Sequence, residues 1–430
     1  MKPNFQLIII IIFIAAALVG ILVFSGAIPI GKDGDGNLGN VVLWGTVRSG
    51  LLAEPLELFN EANPSFVVKY VQKSPTTFDR DLLEALATGK GPDLFFLPDD
   101  LAFHYANKIF SIPYASFPLS SFKNTFSGAG EVFLTSKGIM ALPVSVDPLV
   151  MFYNRSILDA NGIVYPPVYW EDLAGMIPTL TKKDDTGKIT QSAVALGHSS
   201  NVAHAKEILI ALFMQAGNPI TTETSSGKFS SSLDSAVGSY NLPSILKFYT
   251  DFADPNHPAY SWNKSFANSD EVFSSENVAF YFGYASELES FVRRNPNQNF
   301  FVAPLPQIKD AKFKLTGARV TGLAISSASR NFNTAFTAAS LMATTDFANK
   351  FAKAQNLPPA RRDLLSVKPA DAFSPVFFSS ALFAKGWLDP SPADTDSIWA
   401  GMVNAVLSNS LSVDDAIKDA SSKLNLLLIK

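Results

Sequence analysis

The chain has 430 residues, 47% of them apolar and 17% charged, a formal charge of −4 at neutral pH and no cysteine. That apolar content belongs to a folded protein, and the length exceeds what one hydrophobic core ordinarily serves, so two domains are expected. The missing basic field excludes nucleic acid as a partner, and the missing cysteine excludes disulfides, thiolate metal sites, a thiol nucleophile and a lipid-bearing cysteine.

No charge occurs between Lys2 and Lys32, and residues 7–24 are almost wholly Ile, Leu, Val, Phe and Ala. A run of this length crosses a hydrocarbon core and exceeds the roughly 7–15 apolar residues of a secretory signal. A transmembrane helix within residues 1–30 is expected, with cleavage after the small residues Ser25, Gly26 and Ala27 as the alternative. Residues 31–40, GKDGDGNLGN, read as a flexible linker. Asp33, Asp35 and Asn37 imitate the start of a calcium loop, but Leu38 and Trp44 stand where that loop needs Gly and Glu.

From Val41 the pattern alternates. Val41 to Trp44 is a short apolar strand, Leu52, Leu56 and Phe59 mark a helix, and Phe66 to Val71 a second strand. Phe78, Leu82, Leu83 and Leu86 share a helical face that Gly89 ends, and Leu94 to Leu97 forms a buried strand before Pro98. Such alternation predicts an α/β fold with a parallel sheet, whose ligands sit beyond the carboxyl ends of the strands. Arg48, Asp99 and Asp100 fall there. A second run follows from Ile139 through a strand at Leu149 to Tyr153 and a helix at Lys206 to Gln215. The end of the chain is helical, with the stripe Ile398, Met402, Val403 and Val406, then a capping-box start at Ser412 and Asp415.

Enzyme signatures fail. Gly197-His198-Ser199-Ser200-Asn201 opens like a nucleophile elbow but has Asn201 where the sharp turn needs glycine. The histidines at 104, 198, 204 and 257 lack metal spacing, so no metal and no cofactor is assigned. Asp99 with Asp100, and Glu287 with Glu289, could furnish a glycosidase acid and base, but read more simply as surface carboxylates.

Several blocks in order carry a resemblance. They are Thr88 to Leu94 (TGKGPDL); Gly138 to Pro143 with Asp147 and Met151 to Asn154; Asn161-Gly162 and Pro166 to Leu173; Asn277 to Phe280 with Gly283; Val302 to Pro306; Gly322 to Ser326; and a tail with Trp399 and Asp415 to Ala420. Together they resemble the extracellular solute-binding proteins of ABC importers, in the carbohydrate-binding group that includes maltose-binding protein. Two departures stand out: the lipid-anchoring cysteine usual in some members is missing, and the frequent Gly-x-Trp is here Gly283-Tyr284.

The resemblance implies a two-lobed periplasmic-binding-protein-like α/β fold with interlobe hinge strands, following the N-terminal transmembrane helix. Lobe 1 would comprise 41–143 and 283–318, and lobe 2 would comprise 144–282 and 319–430. It implies a monomeric receptor, not an enzyme, held at the cell membrane with its binding domain outside the cytoplasm. The receptor would capture a sugar or other small polar ligand and deliver it to an ABC importer permease. A membrane-anchored glycoside hydrolase and a surface binding module without transport are the alternatives. Sugar hydroxyls demand carboxylate, amide and Arg partners, and their C–H faces demand aromatic planes. Carried over, Asp147 would accept sugar hydroxyls, Asp99 and Asp100 would lie in one binding loop and Ser199 in the facing loop, and Tyr284 and Trp399 would stack on the ligand. Asp147 could instead cap a helix or bond within the hinge, and Trp399 could be core, as Trp44 and Trp170 are expected to be. Arg319 and Arg361 would suit an anionic sugar or carboxylate, with surface placement equally open.

Overall fold

The computed structural model describes residues 39–225, 227–234 and 241–429. The expected transmembrane helix, and nearly all of the expected linker, lie outside these residues. No helix among the described residues is long and apolar enough to cross a membrane.

A ten-stranded sheet runs through the molecule. Its first part follows the alternation in the sequence. Strands Asn40–Gly45, Val67–Gln72 and Leu94–Pro98 pair in parallel, and helices Ser49–Ala62 and Phe78–Ala87 connect them. Helix Phe78–Ala87 buries Phe78 and Leu82 and turns its acidic first turn, Asp79 and Asp81, to the helix N-terminus, where negative charge is favoured.

Two antiparallel strands then link the halves. Ala141–Asn154 is buried along nearly its whole length, and Thr316–Ile325 lies against its first part, with Leu323 opposite Leu142 and Arg319 opposite Asp147. The second part of Ala141–Asn154 pairs instead with Val278–Tyr284 and Phe300–Pro304. One strand therefore serves two hydrophobic cores: Val144 and Val146 belong to the first, Leu149 and Met151 to the second. The change falls at Asp147-Pro148.

This pairing corrects the expected lobe boundaries. Tyr284, Phe291, Phe300 and Leu305, expected in the first lobe, pack in the second core. Val320, Leu323, Phe347 and Leu365, expected in the second, pack in the first. The cause is topological. Strand Val278–Tyr284 pairs on the second-lobe side, and the chain stays there until Thr316–Ile325 carries it back. Trp399 and the last helix, Val413–Leu428, return to the second core.

Strand Ile189–Val194 leads into the turn that precedes helix Ala205–Gln215. Gly197 in that turn has φ +92°, and a Cβ added there would meet Ala253 Cβ and N at 2.7 Å each. Gly197→Ala is therefore expected to cost about 1–3 kcal/mol through left-handed strain and overpacking. Urea unfolding checks it, and an unchanged midpoint would show that the turn yields freely.

Candidate functional site

The site forms where the two cores face each other across the crossing strands. Two adjoining cavities of about 350 and 230 Å³ share Lys206, Glu207, Arg319 and Asp396 in their walls. A wider space of about 1030 Å³ adjoins the smaller of them at Pro392 and separates Asp79 and His104 of the first lobe from Glu223 and Phe229 of the second.

At the floor, Asp147 and Arg319 are cross-strand neighbours. Asp147 is 8% exposed, and its Oδ1 accepts a hydrogen bond from the Ser286 amide at 3.0 Å. Burial pushes its carboxyl up to about 6, against the opposing pull of the Ser286 hydrogen bonds and Arg319. The Arg319 guanidinium lies 3.9 Å from the centre of the Tyr284 ring. Among the described residues no hydrogen bond or ion pair occupies that guanidinium, which feels the nearby Tyr284 and the carboxylates Glu207, Asp147, Asp99 and Asp100.

Tyr284 ends its strand and is held from behind. Its amide donates to Glu287 Oε1 at 2.8 Å, and Glu287 Oε2 accepts from the Tyr281 hydroxyl at 2.6 Å. His204 Nε2 lies 2.6 Å from Glu287 Oε1, and the His204 ring meets Tyr284 edge-on at 5.0 Å. Burial would raise the Glu287 carboxyl, but His204, Tyr281 and the Tyr284 amide together outweigh it and hold the group below its ordinary value.

The short turn Asp99–Leu101 follows strand Leu94–Pro98. Asp99 is 7% exposed and accepts from the Val320 amide at 2.9 Å. Burial first, and the adjacent Asp100 second, push its carboxyl up to about 8. Asp100 is open to solvent at the cleft mouth yet flanked by protein, and this partial enclosure raises its pKa against the pull of Arg319 and Lys206. Because folding raises the Asp99 pKa above its ordinary 3.8, the folded state binds a proton that the unfolded chain releases. Stability is then greatest below the unfolded value and declines as pH rises toward the folded one. Asp99→Asn, which keeps an acceptor for Val320, should remove this decline and be the more stable form at alkaline pH. Urea unfolding on both sides of the folded pKa tests this, and identical pH profiles for the two proteins would refute it.

On the second-lobe side, Ser199 and Trp399 line the larger of the two cavities. Ser199 Oγ and Trp399 Nε1 are both buried without a hydrogen-bond partner. A buried polar atom left unpaired costs about 1–3 kcal/mol, so two at one cavity mark a place shaped for something else to bind. Trp399 itself is 2% exposed and packs against Phe213, so it is a core residue whose edge reaches the cavity and does not offer an open stacking face. Tyr284, 3% exposed with Arg319 over its ring, is likewise no open platform. Trp387, half-buried in the smaller cavity, is the more accessible ring.

Six of the sequence-derived candidates line the two smaller cavities, Asp99, Asp100, Ser199, Tyr284, Arg319 and Trp399, while Asp147 lies behind them as the cross-strand neighbour of Arg319. Arg48 does neither. It is exposed at the N-terminus of helix Ser49–Ala62 and lines none of the three spaces. Arg361 is held by Asp363 at 2.9 Å and by the Ala343 carbonyl at 3.1 Å. Trp170 is core as expected, with Nε1 donating to Gln215 at 2.8 Å, whereas Trp44 is half-buried under the Lys73 ammonium. The reading of Asp99 and Glu287 as surface carboxylates is corrected by their burial.

Sequence reasoning missed Lys206, Glu207, Trp387, Asp389 and Asp396. Lys206 bridges Asp389 at 3.2 Å and Asp396 at 2.5 Å. Nothing local in the sequence announces a pairing across so many residues, although Trp387 could have been flagged as an isolated Trp beside a Pro-rich turn.

A model of bacterial extracellular solute-binding proteins matches residues 46–353. No curated protein sequence matches the chain. Among solved structures, the cyclic α-maltosyl-1,6-maltose binding protein of Arthrobacter globiformis is similar at 15% identity and TM-score 0.73, covering 90% of this chain and 98% of that one. The sugar-binding protein MalE of Xanthomonas citri is similar at 18% identity and TM-score 0.72, covering 91% and 97%. An ABC transporter solute-binding protein of Thermotoga lettingae bound with α-D-tagatose is similar at 22% identity and TM-score 0.61, covering 91% and 100%. At these identities the structures show the two-lobed α/β fold alone. The family match spans most of the chain and agrees with the resemblance read from its sequence blocks, and the protein therefore belongs to the bacterial extracellular solute-binding proteins.

Proposed function

We propose that this protein is the receptor of an ABC importer, capturing a sugar or oligosaccharide between its lobes by hinge closure and delivering it to the permease. The observation that carries this is the cleft itself, in which free donors, enclosed carboxylates and an accessible indole meet between two separately packed cores. Ser199 Oγ, Trp399 Nε1 and Arg319 supply donors, Asp100 and Glu207 supply acceptors, and Trp387 supplies a plane for a C–H face. The sugars named for the similar structures support the same ligand class.

Closure has a physical basis in the connections between the lobes. Crossing strands Ala141–Asn154 and Thr316–Ile325 share a register shift at Thr321/Gly322, close to the point where the cores divide. Other contacts between the lobes are small: Glu223 accepts from the Ser136 hydroxyl at 2.6 Å, Glu289 accepts from Asn356 Nδ2 at 2.6 Å, and Phe103 meets Phe229 edge-on at 6.0 Å. Such contacts open at little cost, while the strands act as the hinge. We further propose a monomer anchored by the apolar segment of residues 7–24, with the lobes outside the cytoplasm.

A ligand bound only by the folded state raises the melting temperature by mass action. A screen of mono- and oligosaccharides against the full-length protein should contain members that raise it, and X-ray scattering should then show compaction. The same ligands should be recovered intact by mass spectrometry. A screen without any shift would refute the carbohydrate reading, and a cleaved ligand would replace the receptor by a hydrolase.

A further inference from the structure

The larger cavity, of about 350 Å³, has a polarity that a neutral sugar would not require. Beside the Glu207 carboxylate, its unpartnered polar groups are donors. The Arg319 guanidinium carries five N–H donors and, among the described residues, makes no hydrogen bond or ion pair. Trp399, 2% exposed, presents an indole N–H that can only donate and has no partner. Ser199 Oγ is equally unpartnered. Helix Ala205–Gln215 begins at the same cavity, bringing the positive end of its dipole.

The nearby acids temper this arrangement and set which anion it can accept. Asp396 is engaged by Lys206 at 2.5 Å, and burial pushes the Asp99 carboxyl up to about 8. Asp147, Glu207 and Asp100 remain as negative neighbours of Arg319. These carboxylates disfavour a dianion such as phosphate far more than a monoanion, because the repulsion scales with the ligand's charge. Arg319 is stacked on Tyr284, which fixes the plane of its fork, and a planar two-oxygen acceptor matches a fixed fork.

We propose that the ligand is an acidic sugar, a uronic acid or an oligosaccharide containing one, whose carboxylate sits on Arg319 with Ser199 and Trp399 Nε1 as further donors. This rests on the receptor reading and narrows it. The hydroxyls of the ring then face the acid-rich end of the cleft, where Asp100 and Asp389 line the smaller cavity.

Calorimetric titration of the full-length protein with matched pairs tests the assignment: glucose against glucuronate, galactose against galacturonate, and galactobiose against digalacturonate. The acid of at least one pair should bind about tenfold or more tightly than its neutral partner, the worth of a charged hydrogen-bonded contact. Arg319→Gln should collapse that ratio toward one. Ser199→Ala, a smaller change in a loop, should lower the ratio as well, and covers the case in which the Arg319 variant does not fold. Neutral sugars bound as tightly as their acids, or a ratio unmoved in both variants, would overturn the acidic ligand and leave the sugar receptor standing. Failure of every sugar, acidic and neutral, would overturn both.

Discussion

Glu287→Ala is expected to destabilise the protein by about 3–5 kcal/mol, because it removes the acceptor from a largely buried charged network. The Glu287 side chain is 22% exposed and faces three groups: His204 Nε2 at 2.6 Å, the Tyr281 hydroxyl at 2.6 Å and the Tyr284 amide at 2.8 Å. With alanine there, His204 Nε2 loses its carboxylate partner and the Tyr281 hydroxyl is left without its acceptor. The Tyr284 ring, which carries Arg319, loses the anchor of its backbone, so ligand affinity should fall together with stability. The sign of the pH dependence follows from the carboxyl being held below its ordinary 4.5. Its contribution is present above the unfolded value and is lost as pH falls through the folded one. Glu287→Ala should therefore show a shallower acid decline than the wild-type chain. Urea unfolding at neutral pH, repeated through the acid range, measures both effects. A variant with wild-type stability and an unchanged acid slope would show that the network is incidental.

What the sequence made legible divides along the range of the interactions involved. The alternation from Val41 to Leu97 is local: Leu52, Leu56 and Phe59 recur at helical spacing, Leu94 to Leu97 is a continuous apolar run, and both elements form as read. The allocation to lobes was not legible, because Ala141–Asn154 is apolar along both halves and its one interruption, Asp147-Pro148, does not say which later strands join which half. The division is set by which strands pair with each half, a fact about partners more than a hundred residues away. The site divides in the same way. Asp147, Tyr284 and Ser199 were found from blocks that resemble a known pattern, whereas the cluster of Lys206 with Asp389 and Asp396 depends on a contact across 183 residues. Arg48 was assigned from the strand-end rule alone. That rule gives the correct end of the sheet but cannot tell the cleft from the outer edge, and Arg48 follows a strand that lies one place farther from the crossing strands than Leu94–Pro98.

Trp399→Ala should cost about 3–5 kcal/mol of stability, and Trp399→Phe much less, about 1.5 kcal/mol or below, because phenylalanine refills most of the volume. The ring lies in the second core with Met402 and Val403 and meets Phe213 at 5.5 Å between centroids, so truncation opens a cavity that the surrounding helices cannot easily close. The indole N–H is a separate feature of the same residue. It is buried, unpartnered and at the cavity wall, and in the apo protein it is a cost that ligand binding can offset. Trp399→Phe removes that donor and with it the unpaired group, so the apo fold should be nearly as stable while ligand affinity falls by about tenfold, the worth of one buried hydrogen bond. The pair of variants therefore separates packing from recognition, which alanine alone would confound. Urea unfolding of the apo proteins and calorimetric affinity for whichever sugar raises the melting temperature give the two readouts. If Trp399→Phe binds that sugar as tightly as the wild-type chain, the indole N–H is no part of the site and Trp399 is a core residue only.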